Sequence, residues 1–549
     1  MPYAFDFLSI ADIAKRLEKK EISPVELAEA HLQRIHTLDP RLNAFLTITT
    51  DLARKQARAA EQEIMKGHYK GPLHGIPIGL KDIYNTAGVR TTGHSKVALH
   101  NKPAQNATTV QKLFQAGAVL MGKLATHEFA HGGPSFDLPW PPARNPWQVD
   151  HFTGGSSSGP AAAVAAGLVL GALGSDTGGS IRTPASLCGI VGFKPTYGLI
   201  SRNGVIPNSY SFDHCGPMAR TVEDCALMLE ALAGHDHLDP ASARHPIPDY
   251  RQSLIPDIQG FRIGVMRSFW DRDHPVSAEL NQAMEAALTL FTELGAEVEE
   301  VKVPPLQEYY DVKIVIAETE IFAVHQHDLR KQAANFGKDF LARCLPACFF
   351  SAVDYVQAQR RRRQLINAMH PLYEQYDVLV MAGEGPAPRF DQCQSELFRN
   401  KPNFSTVFNV TGGPALAICN GFTKDGLPLS MQIAAQPFAE TKVLQAAYAY
   451  EQATSWHTRH PELKLDTPVK PPPRFPPQVM PEMPEEIYRY AEHTAKQFDL
   501  SLASEHFQLL CTGATSALAM ADRVRRKYSW KEEPANVFDS NNRPAVQTE

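Results

Sequence analysis

The sequence predicts an α/β fold followed by a small all-α extension at its C-terminal end. Between about residues 73 and 232, short apolar runs alternate with segments of helical periodicity, which is the pattern of a sheet covered by helices. A stretch crowded with prolines, 461–484, then separates this part from a second segment of helical periodicity. The chain has 549 residues and can bury a large core without disulfide bonds.

Composition places the chain among ordinary globular proteins. Hydrophobic residues make up 43% and charged residues 21% of the sequence, and the formal net charge is −5. A nucleic acid or an anionic membrane favours a basic surface, so we expect neither as a partner. The eight cysteines form no C-x-x-C pair, and no secretory signal precedes the first predicted helix. These features predict reduced thiols and a cytoplasmic location.

The predicted elements follow in order from the N-terminal end. Ser23, Pro24 and Glu26 form a capping box, which predicts a helix beginning at Pro24. Apolar runs predict strands at 72–81, 119–121, 168–173, 262–265, 296–303, 378–381 and 415–418. Helical periodicity predicts helices at 105–116, 160–166, 277–294 and 353–370, and Pro371 is expected to end or kink the last of them.

A glycine-rich loop, 174–182, follows the strand predicted at 168–173. Gly178 and Gly179 allow successive backbone N–H groups to point into one concavity, and Ser180 stands at the end of the loop. A nucleophile beside backbone donors suits acyl transfer. From these residues alone, a flexible turn without chemistry remains an alternative. Neither glycine motif that binds phosphate, G-x-x-x-x-G-K-[ST] or G-x-G-x-x-G, occurs in this stretch.

The run from Gly154 to Thr196 resembles the signature of the amidase signature family. That signature reads G-G-S-S-G-G-S, an alanine-rich helix and then G-S-D-T-G-G-S-I-R, and this chain has G-G-S-S-S-G-P at 154–160 and G-S-D-T-G-G-S-I-R at 174–182. Further matches at 188–198, 213–218 and 426–432 extend the resemblance over about residues 7–455. It implies a central mixed β-sheet covered by helices on both faces. Ser158 and Pro160 depart from the common pattern.

The resemblance also implies a Ser–cis-Ser–Lys triad, in which Ser180 is the nucleophile, Ser156 the proton relay and Lys81 the base. The Gly155–Ser156 peptide bond is expected to be cis. The expected oxyanion donors are backbone N–H groups of Thr177, Gly178, Gly179 and Ser180. No metal and no cofactor are implied.

The lysine needs a particular environment for this role. A lysine accepts a proton only when neutral, and its ordinary pKa is about 10.4. Burial disfavours the ammonium and lowers that pKa. Ile76, Ile78 and Leu80 precede Lys81 in the predicted strand and supply an apolar setting.

Two other motifs could carry chemistry, and a structural role is the main interpretation of each. His127, Glu128 and His131 match H-E-x-x-H, the zinc motif of metalloproteases, but no metzincin continuation follows, because Pro134 and Asp137 occupy the required Gly and His positions. We expect this segment at the rim of the active-site cleft. The run Arg360–Arg363 lies in a predicted helix, where it forms either a solvated or salt-bridged face or a contact to an anionic substrate.

The C-terminal segment resembles the small helical companion subunit of some family members, and a hairpin for dimerisation is the alternative. We predict a catalytic domain at 1–460, a proline-rich linker at 461–484, a helical domain at 485–540 and a flexible tail at 541–549.

The predicted function is an amidohydrolase acting on a small amide, carbamate or urea-like substrate. Its alternative is the glutaminase A-type subunit of a tRNA-dependent amidotransferase. The expected partner is a small-molecule substrate alone, with no nucleic acid, no membrane and a possible homodimer.

Overall fold

The fold is taken from a computed structural model, in which residues 5, 7–393, 402–463, 469, 471, 484–526, 528 and 532–534 are described. Most of the predicted linker and the whole predicted tail lie outside these residues, so the proposed domain boundaries stay predictions. In the described part of the chain, no helix combines the length and the apolar character needed to cross a membrane.

The strands of the described residues join into an 11-stranded sheet with the order β1-β3-β2-β4-β6-β5-β10-β11-β9-β7-β8. They are β1 (Phe45–Ile48), β2 (Pro77–Lys81), β3 (Val119–Leu124), β4 (Gly171–Asp176), β5 (Val191–Lys194), β6 (His214–Ala219), β7 (Arg262–Val265), β8 (Glu297–Glu300), β9 (Val378–Ala382), β10 (Ala415–Phe422) and β11 (Pro428–Ala434). The β2–β3, β2–β4, β7–β8 and β7–β9 pairs are parallel and the remaining pairs antiparallel, so the sheet is mixed.

Helices surround this sheet along the chain. The α-helices of the described residues are α1 (Ile10–Glu18), α2 (Pro24–Leu42), α3 (Thr50–Met65), α4 (Thr108–Gln115), α5 (Ser158–Ala165), α6 (Arg182–Cys188), α7 (Val222–Leu232), α8 (Ala278–Glu293), α9 (Leu306–Gln332), α10 (Lys338–Cys344), α11 (Ala352–Gln375), α12 (Val407–Thr411), α13 (Glu440–Gln452), α14 (Glu485–Gln497) and α15 (Ser504–Val524).

Apolar cores cover both faces of the central strands. Successive strand residues point to opposite faces, so neighbours in sequence belong to different cores. Leu120 and Leu173 belong to a core shared with α1, α7 and α8. Met121 and Ala172, their neighbours in sequence, belong to a second core shared with α2, α3 and α5. The predicted α/β fold, a mixed sheet with helices on both faces and a helical C-terminal extension, is therefore confirmed.

The register of the sheet positions the site. Strands β2 and β4 are parallel, with Leu80 opposite Leu173, so their carboxyl ends lie at the same edge. That edge carries Lys81 at the end of β2 and Asp176 at the end of β4. Loops beyond the carboxyl ends of parallel strands are a common place for active sites in α/β proteins.

Helix boundaries confirm the capping box and exclude one of the two outcomes expected at Pro371. Ser23 Oγ accepts hydrogen bonds from Val25 N and Glu26 N, and the Glu26 carboxylate accepts one from Ser23 N, which is the predicted capping box. Pro371 does not end α11, which continues to Gln375. Proline removes one N–H donor, and the tertiary packing of α11 outweighs that local loss.

The C-terminal helices α14 and α15 pack against α9 and α10. Ala491, Leu510 and Ala514 lie in one apolar cluster with Phe322 and Leu341. Ion pairs reinforce this contact: Arg523 lies 2.6 Å from Asp311, Arg525 lies 2.5 Å from Asp354, and Lys338 lies 2.8 Å from Glu505. The α14–α15 hairpin is thus bound to the catalytic part of the chain.

Candidate active site

Lys81 occupies the centre of the site. Its side chain is fully buried, and its Nζ donates hydrogen bonds to Ser156 Oγ at 2.7 Å, Ser175 Oγ at 2.9 Å and Ser157 Oγ at 3.1 Å. No carboxylate is among these direct partners. The amine is therefore surrounded by neutral hydroxyls.

This environment changes the protonation of the lysine. Burial lowers the pKa of Lys81 from its ordinary value to about 7, and it outweighs the opposing effect of the Asp176 and Asp213 carboxylates. At neutral pH a substantial fraction of Lys81 is then uncharged. An uncharged amine can accept a proton from a hydroxyl at 2.7 Å.

Ser156 lies in the loop that precedes α5. The Gly155–Ser156 peptide bond is cis, as the resemblance implies. Ser156 O accepts a hydrogen bond from His127 N at 3.0 Å, and Ser157 N donates to Ser180 O at 3.1 Å. The second of these bonds joins the loop of Ser156 to the loop of Ser180.

Ser180 stands between β4 and α6 and is partly exposed. Within the described part of the chain its Oγ makes no hydrogen bond, so the link from Lys81 to Ser156 is formed while that from Ser156 to Ser180 is not closed by a hydrogen bond. An exposed hydroxyl is accessible to substrate. Catalytic hydrogen bonds are commonly longer before substrate binds and tighten in the complex.

The glycine loop before Ser180 supplies the backbone donors. Gly179 has φ +118° and its N–H donates to Asp176 Oδ1 at 2.7 Å, so this donor is already used inside the loop. Among the described residues, the N–H groups of Thr177, Gly178 and Ser180 have no such acceptor. Three of the four expected oxyanion donors therefore remain available in this structure.

An arginine without a role in the sequence-based predictions holds this loop. The guanidinium of Arg182 is fully buried and makes two hydrogen bonds of 3.0 Å to the Asp176 carboxylate. It also donates to Asn409 Oδ1 at 2.7 Å and Gln432 Oε1 at 2.9 Å. Burial raises the pKa of Asp176, but the charge and hydrogen bonds of Arg182 outweigh it and hold that pKa well below its usual range. Asp176 and Arg182 both lie in the G-S-D-T-G-G-S-I-R run. An ion pair between them is therefore the sequence signal that could have identified Arg182.

The H-E-x-x-H segment lies beside the site, but it does not form the α-helix that holds zinc in metalloproteases. Glu128–Ala130 form one 3₁₀ turn in which Phe129 has φ +48°, so His127 and His131 do not share a helical face. His127 Nδ1 lies 2.6 Å from Gly132 O, while His131 Nε2 lies 3.0 Å from Glu318 Oε2. The described residues contain no group of three or more His, Cys, Asp and Glu side chains arranged to hold a metal.

The four arginines of α11 point in different directions around the helix axis, so they contact different partners. Arg360 Nε donates to Glu532 O at 2.8 Å, and Arg361 pairs with Glu308. Arg362 is buried and donates to Val410 O at 2.9 Å. Salt bridges and backbone contacts therefore occupy most of this run.

A family model described as Amidase matches residues 26–444, which is more than half of the chain. The chain belongs to the amidase signature family. As a member, it is an enzyme, a serine-dependent amidase that hydrolyses C–N bonds.

Individual members of the amidase signature family show the same likeness. The chain is 39% identical over 485 residues to the A-type subunit of the glutamyl-tRNA(Gln) amidotransferase from Moorella thermoacetica, covering 83% of this chain and 99% of that protein. It superposes on the peptide amidase of Stenotrophomonas maltophilia with a TM-score of 0.73 and 33% identity, covering 85% of this chain and 100% of that one. For the A-type amidotransferase subunit from Thermotoga maritima the TM-score is 0.69 at 32% identity, with coverages of 81% and 95%.

These relatives correct the expectation about partners. From the sequence we expect a small-molecule substrate alone, with no nucleic acid, no membrane and a possible homodimer. The expectation of a small molecule alone and no nucleic acid is wrong: several relatives are named as one subunit of a glutamyl-tRNA(Gln) amidotransferase. The error has a physical origin, because net charge describes the whole surface and does not detect binding by another subunit of an assembly.

Proposed function

We propose that this chain releases ammonia from the side-chain amide of glutamine, as the A-type subunit of a tRNA-dependent amidotransferase. Ser180 is the proposed nucleophile, Ser156 the relay and Lys81 the base. The observation that carries the chemistry is the buried Lys81 amine, with a pKa of about 7, at 2.7 Å from Ser156 Oγ. The likeness to the A-type amidotransferase subunit over 83% of the chain favours glutamine as the substrate.

Acylation proceeds by relayed proton transfer in this proposal. Ser180 Oγ attacks the amide carbon while its proton passes to Ser156 Oγ and the Ser156 proton passes to Lys81 Nζ. The carbonyl electron pair moves onto oxygen, where the N–H groups of Thr177, Gly178 and Ser180 stabilise the charge.

Collapse of this tetrahedral intermediate completes the half-reaction. The C–N bond breaks, and the proton returns from Lys81 through Ser156 to the departing nitrogen, so that ammonia leaves and an acyl ester remains on Ser180. Water then loses a proton to the same relay and attacks the ester. The acid is released and the Ser180 hydroxyl is restored.

A stand-alone amidase is the second candidate, and the C-terminal hairpin favours it. Helices α14 and α15 resemble the small companion subunit of some family members, and they pack on α9 and α10 within this chain. In this alternative the chain supplies its own companion and hydrolyses a small amide, carbamate or urea-like compound. The likeness to a peptide amidase at 33% identity supports it.

The test compares substrates with the purified full-length chain in the presence of EDTA. Glutamine, a primary amide, an aryl anilide and a carbamate are each offered to wild type, Ser180→Ala and Ser455→Ala. Removing a serine nucleophile typically costs at least about 10³-fold in rate, so Ser180→Ala should lose activity while the exposed Ser455 substitution should keep it.

The pattern of substrates separates the two candidates. Ammonia release from glutamine above the other three compounds supports the amidotransferase role. Turnover of the anilide or carbamate without glutamine supports the stand-alone amidase. Activity that EDTA abolishes, or that survives in Ser180→Ala, contradicts the serine mechanism.

A further inference from the structure

We propose that Lys313 of α9 binds a carboxylate of the substrate and so selects amides that carry a negative charge. The lysine lies beside the loop of Ser180, although it belongs to neither signature segment. This inference rests on the proposed function, since it assigns a substrate class to that same site.

The position of Lys313 follows from its contact with Gly178. A Cβ on Gly178 would lie 2.8 Å from Lys313 Cε and 3.5 Å from Lys313 Nζ. The first distance is shorter than the contacts that Cβ atoms make in proteins, so the glycine makes room for the lysine. The amine therefore sits next to a residue whose N–H is a proposed oxyanion donor.

Lys313 has no direct partner in the described part of the chain: no hydrogen bond or ion pair is formed by its amine. The charged groups that act on it are the carboxylates of Asp176, Asp213 and Glu318 and the guanidinium of Arg343. Two of these carboxylates accept hydrogen bonds from other side chains, Asp176 from Arg182 and Asp213 from Thr177. The third, Glu318, has its Oε2 3.0 Å from His131 Nε2.

The surroundings of Lys313 disfavour its positive charge. The side chain is only partly exposed, and burial lowers the pKa of Lys313, with the three carboxylates opposing that effect. A carboxylate brought by the substrate would offset the desolvation of the cation and form a charge-assisted hydrogen bond. The site thus gains more from a negatively charged amide than from a neutral one.

The helix that carries Lys313 is well anchored. Asp311, two residues earlier, accepts hydrogen bonds from Arg523 at 2.6 and 2.7 Å. The cation is therefore held on a positioned element rather than on a loop. Its closeness to Gly178 points to a short amide, in which few atoms separate the carboxylate from the scissile carbonyl. Glutamine and shorter monoamides of dicarboxylic acids belong to this class.

Binding tests this inference without relying on turnover. Succinamate and butyramide are matched four-carbon primary amides that differ in one carboxylate. Their binding to Ser180→Ala is measured by calorimetry, with Lys313→Met and Lys442→Met each added to that background. A charged hydrogen bond corresponds to a preference of about 10-fold to 100-fold for succinamate. Lys313→Met should remove this preference, and Lys442→Met, on the distant α13, should leave it intact.

Kinetics then distinguish carboxylate binding from general support of the oxyanion. In the Ser180 wild-type background, Lys313→Met should raise KM for succinamate and leave butyramide within about 2-fold. An equal fall in kcat for both amides, or equal binding of both amides before the substitution, overturns the inference. If succinamate is preferred through Lys313 while glutamine is not hydrolysed, the inference stands and the amidotransferase proposal fails.

Discussion

The proposed chemistry depends on one amine and the three hydroxyls around it. Lys81 is buried against Ser156, Ser157 and Ser175, none of which carries a charge, and burial therefore governs its pKa. Placing a cation in such a setting costs stability, which is a common feature of active sites. In return, a substantial fraction of the proposed base is uncharged at neutral pH.

The pH dependence of the reaction follows from this pKa. Protonated Lys81 cannot accept a proton, so kcat/KM should fall as the pH drops below about 7 and reach a plateau above it. The measurement is a pH–rate profile of wild type between pH 5 and 9. Any residual activity of Lys81→Met should lack this limb, and Lys442→Met should retain it. A profile that is flat or falling between pH 6 and 8 would argue against Lys81 as the base.

The α14–α15 hairpin contributes at the scale of elements by holding α9 and α11. Arg523 and Arg525 approach Asp311 and Asp354, carboxylates that are almost fully buried, whereas the arginines are 42% and 45% exposed. Because the acids are buried, loss of the arginines leaves charges without partners. The hairpin thus stabilises the helix that carries Lys313.

We expect Arg523→Ala to lower the free energy of unfolding by about 1–2 kcal/mol, since its pair is half screened by solvent. Amide hydrogen exchange across Ser504–Val524 should also increase. The matched control is Arg489→Ala, which removes an ion pair whose partners are both about three-quarters exposed and should cost less than about 0.5 kcal/mol. Equal effects of the two substitutions would show that the hairpin is held by apolar contacts alone.

At the scale of the whole molecule, the Arg182 side chain joins parts of the chain that are far apart in sequence. It connects Asp176 at the end of β4 with Asn409 in α12 and Gln432 in β11. All four side chains are buried, so the network is shielded from solvent screening. It fixes the loop of Ser180 relative to the opposite half of the sheet.

Breaking this network should lower the free energy of unfolding. Arg182→Met leaves the Asp176 carboxylate buried without its cation, and we expect a loss of about 3–5 kcal/mol in urea unfolding. Arg182→Lys keeps the positive charge but loses the paired hydrogen bonds, so its free energy of unfolding should lie between those of wild type and Arg182→Met. Arg251→Met provides a control in a short 3₁₀ turn that has no buried residues. If Arg182→Met unfolds like wild type, the network does not stabilise the fold.

Local patterns in the amino-acid sequence were enough to establish the family, the α/β class and most strand positions. Residues 154–196 carry the signature, and the apolar run before Lys81 predicts a buried strand at the observed place. The capping box at Ser23 is equally local. Each of these signals lies within a few residues of the feature that it predicts.

Which distant side chains meet depends instead on how helices and strands pack. The partners of Arg182 at 409 and 432 and the approach of Lys313 to Gly178 are contacts of this kind. Continuation of α11 through Pro371 is a further case, in which packing outweighs a local preference. Such contacts join residues up to 250 positions apart. Periodicity and motifs describe short stretches of chain, so they do not specify these distances, and only the folded chain does.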